Sequence, residues 1–98
     1  MPCPVREDVV TESREKLVVI NPLGLHARPA AKLVKTVLRF RCEVFVAYNG
    51  QRVNGKSIMG LLTLAAGQGS CLEVVCTGED AEAAMAEVRA LFASGFGE

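Results

Sequence analysis

The sequence predicts an α+β fold in which one antiparallel sheet of four strands is covered on one face by three helices. Three observations favour this class. Apolar residues alternate with a period of two in short segments, they recur at helical spacing in longer ones, and turn-forming residues separate the segments. The segment order is βαββαβα, and an open-faced β-sandwich with all helices on one face buries every apolar stripe.

The first half of the chain contains a strand, a turn and a helix. Residues 17–20 (LVVI) form a short apolar run that ends at residues 21–24 (NPLG), where Pro fixes φ and Gly permits a positive φ. A helix is predicted from Ala27, with Pro29 in its first turn, where a missing N–H costs nothing. Its apolar stripe is expected to comprise Ala30, Leu33, Val34, Val37 and Leu38.

A hairpin and a short helix follow. Residues 42–48 alternate between apolar and other side chains, and the Asn49-Gly50 pair is a strong hairpin signal. The returning strand is predicted at residues 51–54. Ser57 is expected to cap a helix that ends at about Leu64, because a serine side chain can accept a bond from an unpaired N–H of the first turn.

The remaining segment supplies one strand and one helix. Residues 71–76 are predicted as the fourth strand, with Leu72 and Val74 on one face. Asp80 is expected to cap the last helix. The apolar positions of that helix are Ala81, Ala84, Met85, Val88, Leu91 and Phe92.

One domain is expected over residues 16–98, preceded by a flexible extension at residues 1–15. The extension holds two prolines and a mixture of charged and hydroxyl residues with little periodicity. At 98 residues the chain can bury one modest core and is too short for two. An enzyme with a deep cleft between two domains is therefore not expected.

Composition weighs against several classes of function. Eleven acidic and eleven basic residues leave no basic excess for nucleic acid. No apolar run approaches the roughly 18 residues of a membrane span, and the start lacks a signal peptide, so a cytoplasmic protein is expected. Four cysteines form no CxxC pair, which predicts free thiols used as small buried side chains. We expect neither a metal site nor a cofactor.

The segment Gly24-Leu25-His26-Ala27-Arg28 places the single histidine at the start of a helix. The free N–H groups of Ala27 and Arg28 and the positive end of the helix dipole attract an anion, and Arg28 can donate a charge-assisted bond. The same dipole disfavours the imidazolium, so the ring stays a nucleophile. These residues predict that His26 accepts a phosphoryl group. The alternative is an ordinary polar residue beside a solvated arginine.

Residues 21–30 (NPLGLHARPA) resemble the active-site signature of HPr, the histidine phosphocarrier of the bacterial phosphotransferase system. Further segments resemble the family in the same order, so that the resemblance covers about residues 16–93; they are Asn49-Gly50 and residues 55–60 (GKSIMG), 68–70 (QGS) and 78–80 (GED). Residues 90–96 (ALFASGF) resemble the nitrogen-related branch, NPr, whose carriers serve regulatory circuits more than sugar uptake.

The resemblance implies an HPr-like fold and a phosphoryl carrier that is a substrate of other enzymes rather than an enzyme itself. Enzyme I, charged by phosphoenolpyruvate, would phosphorylate His26 on Nδ1, and Arg28 would stabilise the group. An enzyme II A-type protein would then receive it. We expect the carrier to be a monomer.

The short second helix carries two further hypotheses. Its apolar residues cover more of its circumference than one buried face requires, so Ile58, Met59 and Leu62 are predicted to help form a docking patch near His26. A helix packed on two sides is the alternative. In the HPr family a serine in this context is phosphorylated by an HPr kinase, and the resemblance carries that role onto Ser57. The alternative for Ser57 is a helix cap and nothing more.

The competing interpretation from another class is a regulatory interaction domain of the same fold that transfers nothing. His26 and Arg28 argue against it, because a domain regulated through the serine alone needs no histidine. A metal chaperone is disfavoured, since no cysteine pair accompanies the histidine. A self-sufficient enzyme is disfavoured because no carboxylate pair or nucleotide loop does.

Overall fold

The computed structural model describes residues 11–98 of the chain. Within them one antiparallel sheet contains four strands, β1 (Glu12–Val18), β2 (Glu43–Tyr48), β3 (Gln51–Asn54) and β4 (Cys71–Thr77). Their spatial order is β1-β4-β2-β3, so the last strand in sequence lies at the centre. Glu12 pairs with Thr77 at one end of β1 and Val18 with Cys71 at the other.

Three helices cover one face of this sheet, α1 (Ala27–Val37), α2 (Ile58–Thr63) and α3 (Ala81–Ala93). Helix α3 packs on β1 and β4 and against α1, while α2 contacts α1 and β3. The central strand turns Leu72, Val74 and Cys76 toward the helices, and all three are fully buried. The expected α+β open-faced sandwich of order βαββαβα is therefore confirmed. No helix of residues 11–98 is both long and apolar enough to cross a bilayer.

The hairpin and the proline behave as their residue types predict. Asn49 and Gly50 both adopt positive φ, 54° and 81°, between β2 and β3, as the tightest hairpin turns require. Pro29 lies buried in the first turn of α1, where it removes no helical hydrogen bond.

The predicted position of the first strand was wrong. Strand β1 runs from Glu12 to Val18 rather than over residues 17–20, and Ile20 lies beyond it, 48% exposed. Residues 12–15 therefore belong to the sheet and not to a flexible extension, while residues 1–10 lie outside the described part. The apolar signal is weak because β1 is an edge strand whose outer face carries Glu12, Arg14 and Lys16.

Three smaller expectations need correction. Leu38 is 60% exposed at the end of α1 rather than part of the core. Asp80 precedes α3 but caps nothing in it, because its Oδ2 accepts a bond from the Arg41 backbone N–H at 2.8 Å. Cys42 and Cys76 are buried free thiols as expected, whereas Cys71 is exposed. Burial raises the pKa of the Cys76 thiol to about 11.

Candidate functional site

His26 is the N-cap of helix α1, the residue immediately before Ala27. Its backbone is extended, with φ −84° and ψ −168°, and its side chain makes no capping hydrogen bond. Its carbonyl accepts the first helical bond from Ala30 at 3.0 Å, while its own N–H donates to Gly24 O at 3.0 Å. The next two N–H groups, those of Ala27 and Arg28, have no acceptor among residues 11–98. The helix therefore presents two unpaired donors beside the ring.

The His26 ring is accessible from one side. Its side chain is 31% exposed, so the ring is not sealed in the core. Its Nε2 atom is enclosed, lies 3.7 Å from Glu98 Oε1, and has no hydrogen-bond partner among the described residues. The open part of the ring therefore lies away from Nε2, which leaves Nδ1 as the nitrogen that a reactant can approach.

Two cations share the carboxylate of Glu98 next to this ring. Arg28 Nη2 lies 2.9 Å from Oε1, and Lys32 Nζ lies 3.0 Å from Oε2. The hydrogen bond from Lys32, supported by Arg28, lowers the pKa of Glu98 below its usual value. An anion thus already occupies the position beside His26, held by the same guanidinium that was predicted to stabilise phosphate.

The segment after α3 brings Glu98 to this position. A short 3-10 turn, Gly95–Gly97, reverses the chain, and Phe96 in it adopts a positive φ of 58°. Its ring is buried against Phe92, with centroids 4.9 Å apart. Its carbonyl accepts a bond from Lys32 Nζ at 2.6 Å.

Sequence reasoning missed both Lys32 and Glu98 as site residues. Lys32 could have been found, because it lies four residues after Arg28 and so shares its face of α1. Glu98 carries no such signal, since its place depends on the reversal at Phe96.

Helix α2 begins with a closed end. The Ser57 hydroxyl accepts a bond from the Gly60 N–H at 3.0 Å, which confirms the predicted cap. Met59 is 73% exposed and Ile58 39% exposed, whereas Leu62 is half-buried and packs against the core. Ile58 and Arg28 line one surface hollow of about 340 Å³ together with Ala31, Lys32, Val34, Lys35 and Leu38. Ile58 of α2 thus lies beside Arg28 at the surface.

The arrangement is suited to holding an anion. Within the described range no group of three or more His, Cys, Asp or Glu side chains converges. Near the ring the structure offers two N–H groups, a helix start and two cationic side chains. These groups favour negative charge on or beside the imidazole.

Comparison with known proteins identifies the family. A sequence profile described as the phosphorylation site of the PTS HPr component matches residues 13–94. The phosphocarrier protein HPr of Xylella fastidiosa is 46% identical over 83 residues, which cover 85% of this chain and 93% of that protein.

Solved structures agree. HPr from Thermoanaerobacter tengcongensis superposes with a TM-score of 0.84 at 37% identity, covering 88% of this chain and 97% of that one. HPr from Bacillus anthracis gives a TM-score of 0.79 at 38% identity, covering 83% and 96%.

The chain therefore belongs to the HPr family. It is a phosphocarrier, a component of the phosphotransferase system rather than a catalyst. The resemblance of residues 90–96 to the nitrogen-related branch stays a prediction.

Proposed function

We propose that the chain accepts a phosphoryl group from enzyme I on Nδ1 of His26 and passes it to an enzyme II A-type protein. One observation carries the proposal. The single histidine of the sequence stands partly exposed at a helix start whose next two N–H groups, those of Ala27 and Arg28, are unpaired.

The position of Glu98 supports Nδ1 as the nucleophile. A carboxylate 3.7 Å from Nε2 favours the tautomer with its proton on Nε2, which leaves the lone pair on Nδ1. In the transfer a bond forms between Nδ1 and phosphorus while the bond from phosphorus to the donor breaks. The donor takes the electron pair of that bond, and the reverse steps pass the group to the acceptor.

The charges around the ring stabilise the product. The unpaired N–H groups of Ala27 and Arg28 can donate hydrogen bonds to the phosphoryl oxygens. The Arg28 guanidinium leaves Glu98 and binds the phosphoryl group, a better match for its forked donors. Glu98 is exchanged for the phosphoryl group, so the cations stay paired in both states.

A shared docking surface serves donor and acceptor. Ile58 lines the same hollow as Arg28, and Met59, the next residue of α2, is exposed. An apolar patch next to the transferring atom fits a partner that must bring its own reactive group close. Leu62 supports this surface from beneath rather than at its centre, because it is half-buried.

Ser57 is the second proposed phosphorylation site, a target of an HPr kinase/phosphorylase. Its hydroxyl caps α2 next to Ile58 and Met59, so phosphorylation there puts negative charge at the edge of the docking surface. This slows transfer to His26 without refolding the domain. The chain is proposed to act in the cytoplasm with the enzymes of the nitrogen-related circuit, because residues 90–96 resemble the nitrogen-related branch of the family.

Incubation with enzyme I and phosphoenolpyruvate tests the proposal. We expect the mass of one phosphoryl group to appear on the chain, to be lost in acid, and to be absent in His26→Ala. Ser57→Ala is the matched control and should still gain the group. A gain that survives His26→Ala, or that resists acid, places the acceptor elsewhere.

A further inference from the structure

Asn21 is the one buried polar or charged residue among residues 11–98, with 2% of its surface exposed. Its side-chain Nδ2 donates to Gly24 O at 2.5 Å, and its own carbonyl accepts from Gly24 N at 3.0 Å. The side chain therefore closes the turn at residues 21–24 from inside.

The Gly24 carbonyl joins this turn to the reacting histidine. The same oxygen that accepts from Asn21 Nδ2 also accepts the His26 backbone N–H, at 3.0 Å. Asn21 is thus linked through one atom to the backbone of the residue that carries the ring. Held in this way, the His26 N–H points into the turn, and the anion-binding donors become those of Ala27 and Arg28.

Backbone hydrogen bonds and the Asn21 side chain together hold the turn. Gly24 adopts a φ of +72°, and a Cβ there would lie 2.5 Å from Ala66 O, so only glycine fits against the neighbouring loop. Leu25 N donates to the same Ala66 O at 2.8 Å. These contacts fix the residues after Gly24, and the Gly24 carbonyl itself is held by two donors, the His26 N–H and the Asn21 side chain.

The amide is retained despite an unpaired acceptor. Asn21 Oδ1 is buried without a hydrogen-bond partner among the described residues, which costs free energy. A buried apolar side chain of similar size would avoid that cost. The useful part of the side chain is therefore the Nδ2 donor that binds Gly24 O.

We propose that Asn21 is a positioning residue for phosphoryl transfer, which aims the His26 ring by fixing the Gly24 carbonyl. The inference rests on the proposed role of His26. Asn21 makes no hydrogen bond to the ring. It acts by limiting the directions in which Nδ1 faces a docked donor, since a small misalignment of reacting atoms slows a transfer that needs an in-line approach.

Asn21→Asp is the sharpest test, because it keeps the shape and replaces the donor by an oxygen. We expect the kcat for phosphorylation by enzyme I to fall about tenfold with KM unchanged, since the docking surface is intact. Phosphoramidate, a small donor that phosphorylates imidazole directly with loss of ammonia, approaches from many directions. Its rate with His26 should stay within about twofold of wild type, since alignment matters less there.

Two further variants distinguish an effect on the orientation of the His26 ring from an effect on the stability of the domain. Val46→Ala removes buried volume from β2, away from His26, and is expected to lower the unfolding midpoint while leaving both rates unchanged. Asn21→Ala removes the donor without adding charge and should repeat the selective loss with enzyme I.

Several outcomes would overturn the assignment. Equal rates for Asn21→Asp and wild type would show that the ring needs no aiming. Equal losses with both donors would show a change in ring reactivity, and an equal loss in Val46→Ala would show an effect of stability. If enzyme I fails to phosphorylate the wild-type chain, the proposed function falls first and the inference with it.

Discussion

The starts of helices α1 and α2 are built from the same backbone geometry and are finished in opposite ways. The N-cap residues of the two helices, His26 and Ser57, both have extended backbones. The Ser57 hydroxyl turns back and binds the Gly60 N–H, whereas the His26 ring makes no such bond. The start of α2 is closed by its own side chain, and the start of α1 stays open with its donors directed outward.

The difference fits the two distinct roles proposed for His26 and Ser57. At α1 the oxygens of the proposed phosphoryl group on His26 would meet the unpaired Ala27 and Arg28 N–H groups, and neither group has a hydrogen bond to give up. At α2 the Ser57 hydroxyl already accepts the Gly60 N–H, so phosphorylation there is expected to disturb a bond that caps the helix. A carrier needs the first arrangement, and a regulated serine suits the second.

The largest effect is expected from removing the Arg28 charge at the open start of α1. Arg28→Ala removes a charge-assisted bond worth about 1.5–3 kcal/mol, so phosphorylation of His26 by enzyme I should slow about 10- to 100-fold. Initial rates of phosphoryl incorporation measure this. Arg39→Ala, an exposed arginine near the other end of α1, is the control and should change little. Equal rates for Arg28→Ala and wild type would mean that the guanidinium does not contribute at the open start.

The second-largest effect is expected from a charge on the exposed face of α2. Met59→Glu places a charge on a side chain that is 73% exposed, and we expect the KM for enzyme I to rise about tenfold with kcat retained. Val18→Glu is the matched control, since Val18 is 47% exposed on the edge strand. A KM that does not move in Met59→Glu would remove α2 from the docking surface.

Removing the N-cap side chain of each helix tests the contrast between the open start of α1 and the closed start of α2. Ser57→Ala should destabilise the domain by about 1 kcal/mol, because the cap to Gly60 is lost. His26→Ala should change stability by less than about 0.5 kcal/mol, since the ring caps nothing. Urea unfolding of both variants measures the free energy of unfolding. Equal losses of stability would show that the two helix starts do not differ in capping.

The smallest effect is expected from neutralising Glu98, the carboxylate beside His26. Glu98→Gln frees Arg28 and Lys32 and should shift the phosphoryl equilibrium with enzyme I about two- to fivefold toward the carrier, the scale of a partly exposed ion pair. The partition of labelled phosphoryl between the two proteins measures this, and a shift toward enzyme I would contradict it.

The same residue predicts a pH dependence. The pKa of Glu98 is lowered in the folded chain, so its ion pairs add stability above its usual value of 4.5, and that stability is lost as the pH falls through the lowered pKa. Acid unfolding of Glu98→Gln should lack this component, and identical acid curves for the two chains would show that Glu98 contributes none.

Local residue chemistry explains why most of the fold could be predicted. Pro29, the Asn49-Gly50 pair and Ser57 each act through bonds to residues close in sequence, and all three behave as expected. Strand β1 was misplaced because its charged outer face hides the apolar alternation of an edge strand. Asp80 failed as a cap because a distant backbone N–H, that of Arg41, competes for its carboxylate.

The site divides in the same way. His26, Arg28 and the N–H groups between them lie in one segment, so their type and spacing indicate a place for an anion. Glu98 reaches the ring only through the turn at Phe96, and Asn21 acts through the Gly24 carbonyl. Both depend on how the chain folds back, which periodicity and propensity do not encode.

Backbone amide NMR of the chain phosphorylated on His26 shows whether the phosphoryl group binds at the open start of α1. We expect phosphorylation to shift the Ala27 and Arg28 amide resonances strongly, because their free N–H groups donate to the phosphoryl oxygens, while the capped Gly60 amide stays unchanged. Unmoved Ala27 and Arg28 resonances, or larger shifts at Gly60, would contradict this expectation.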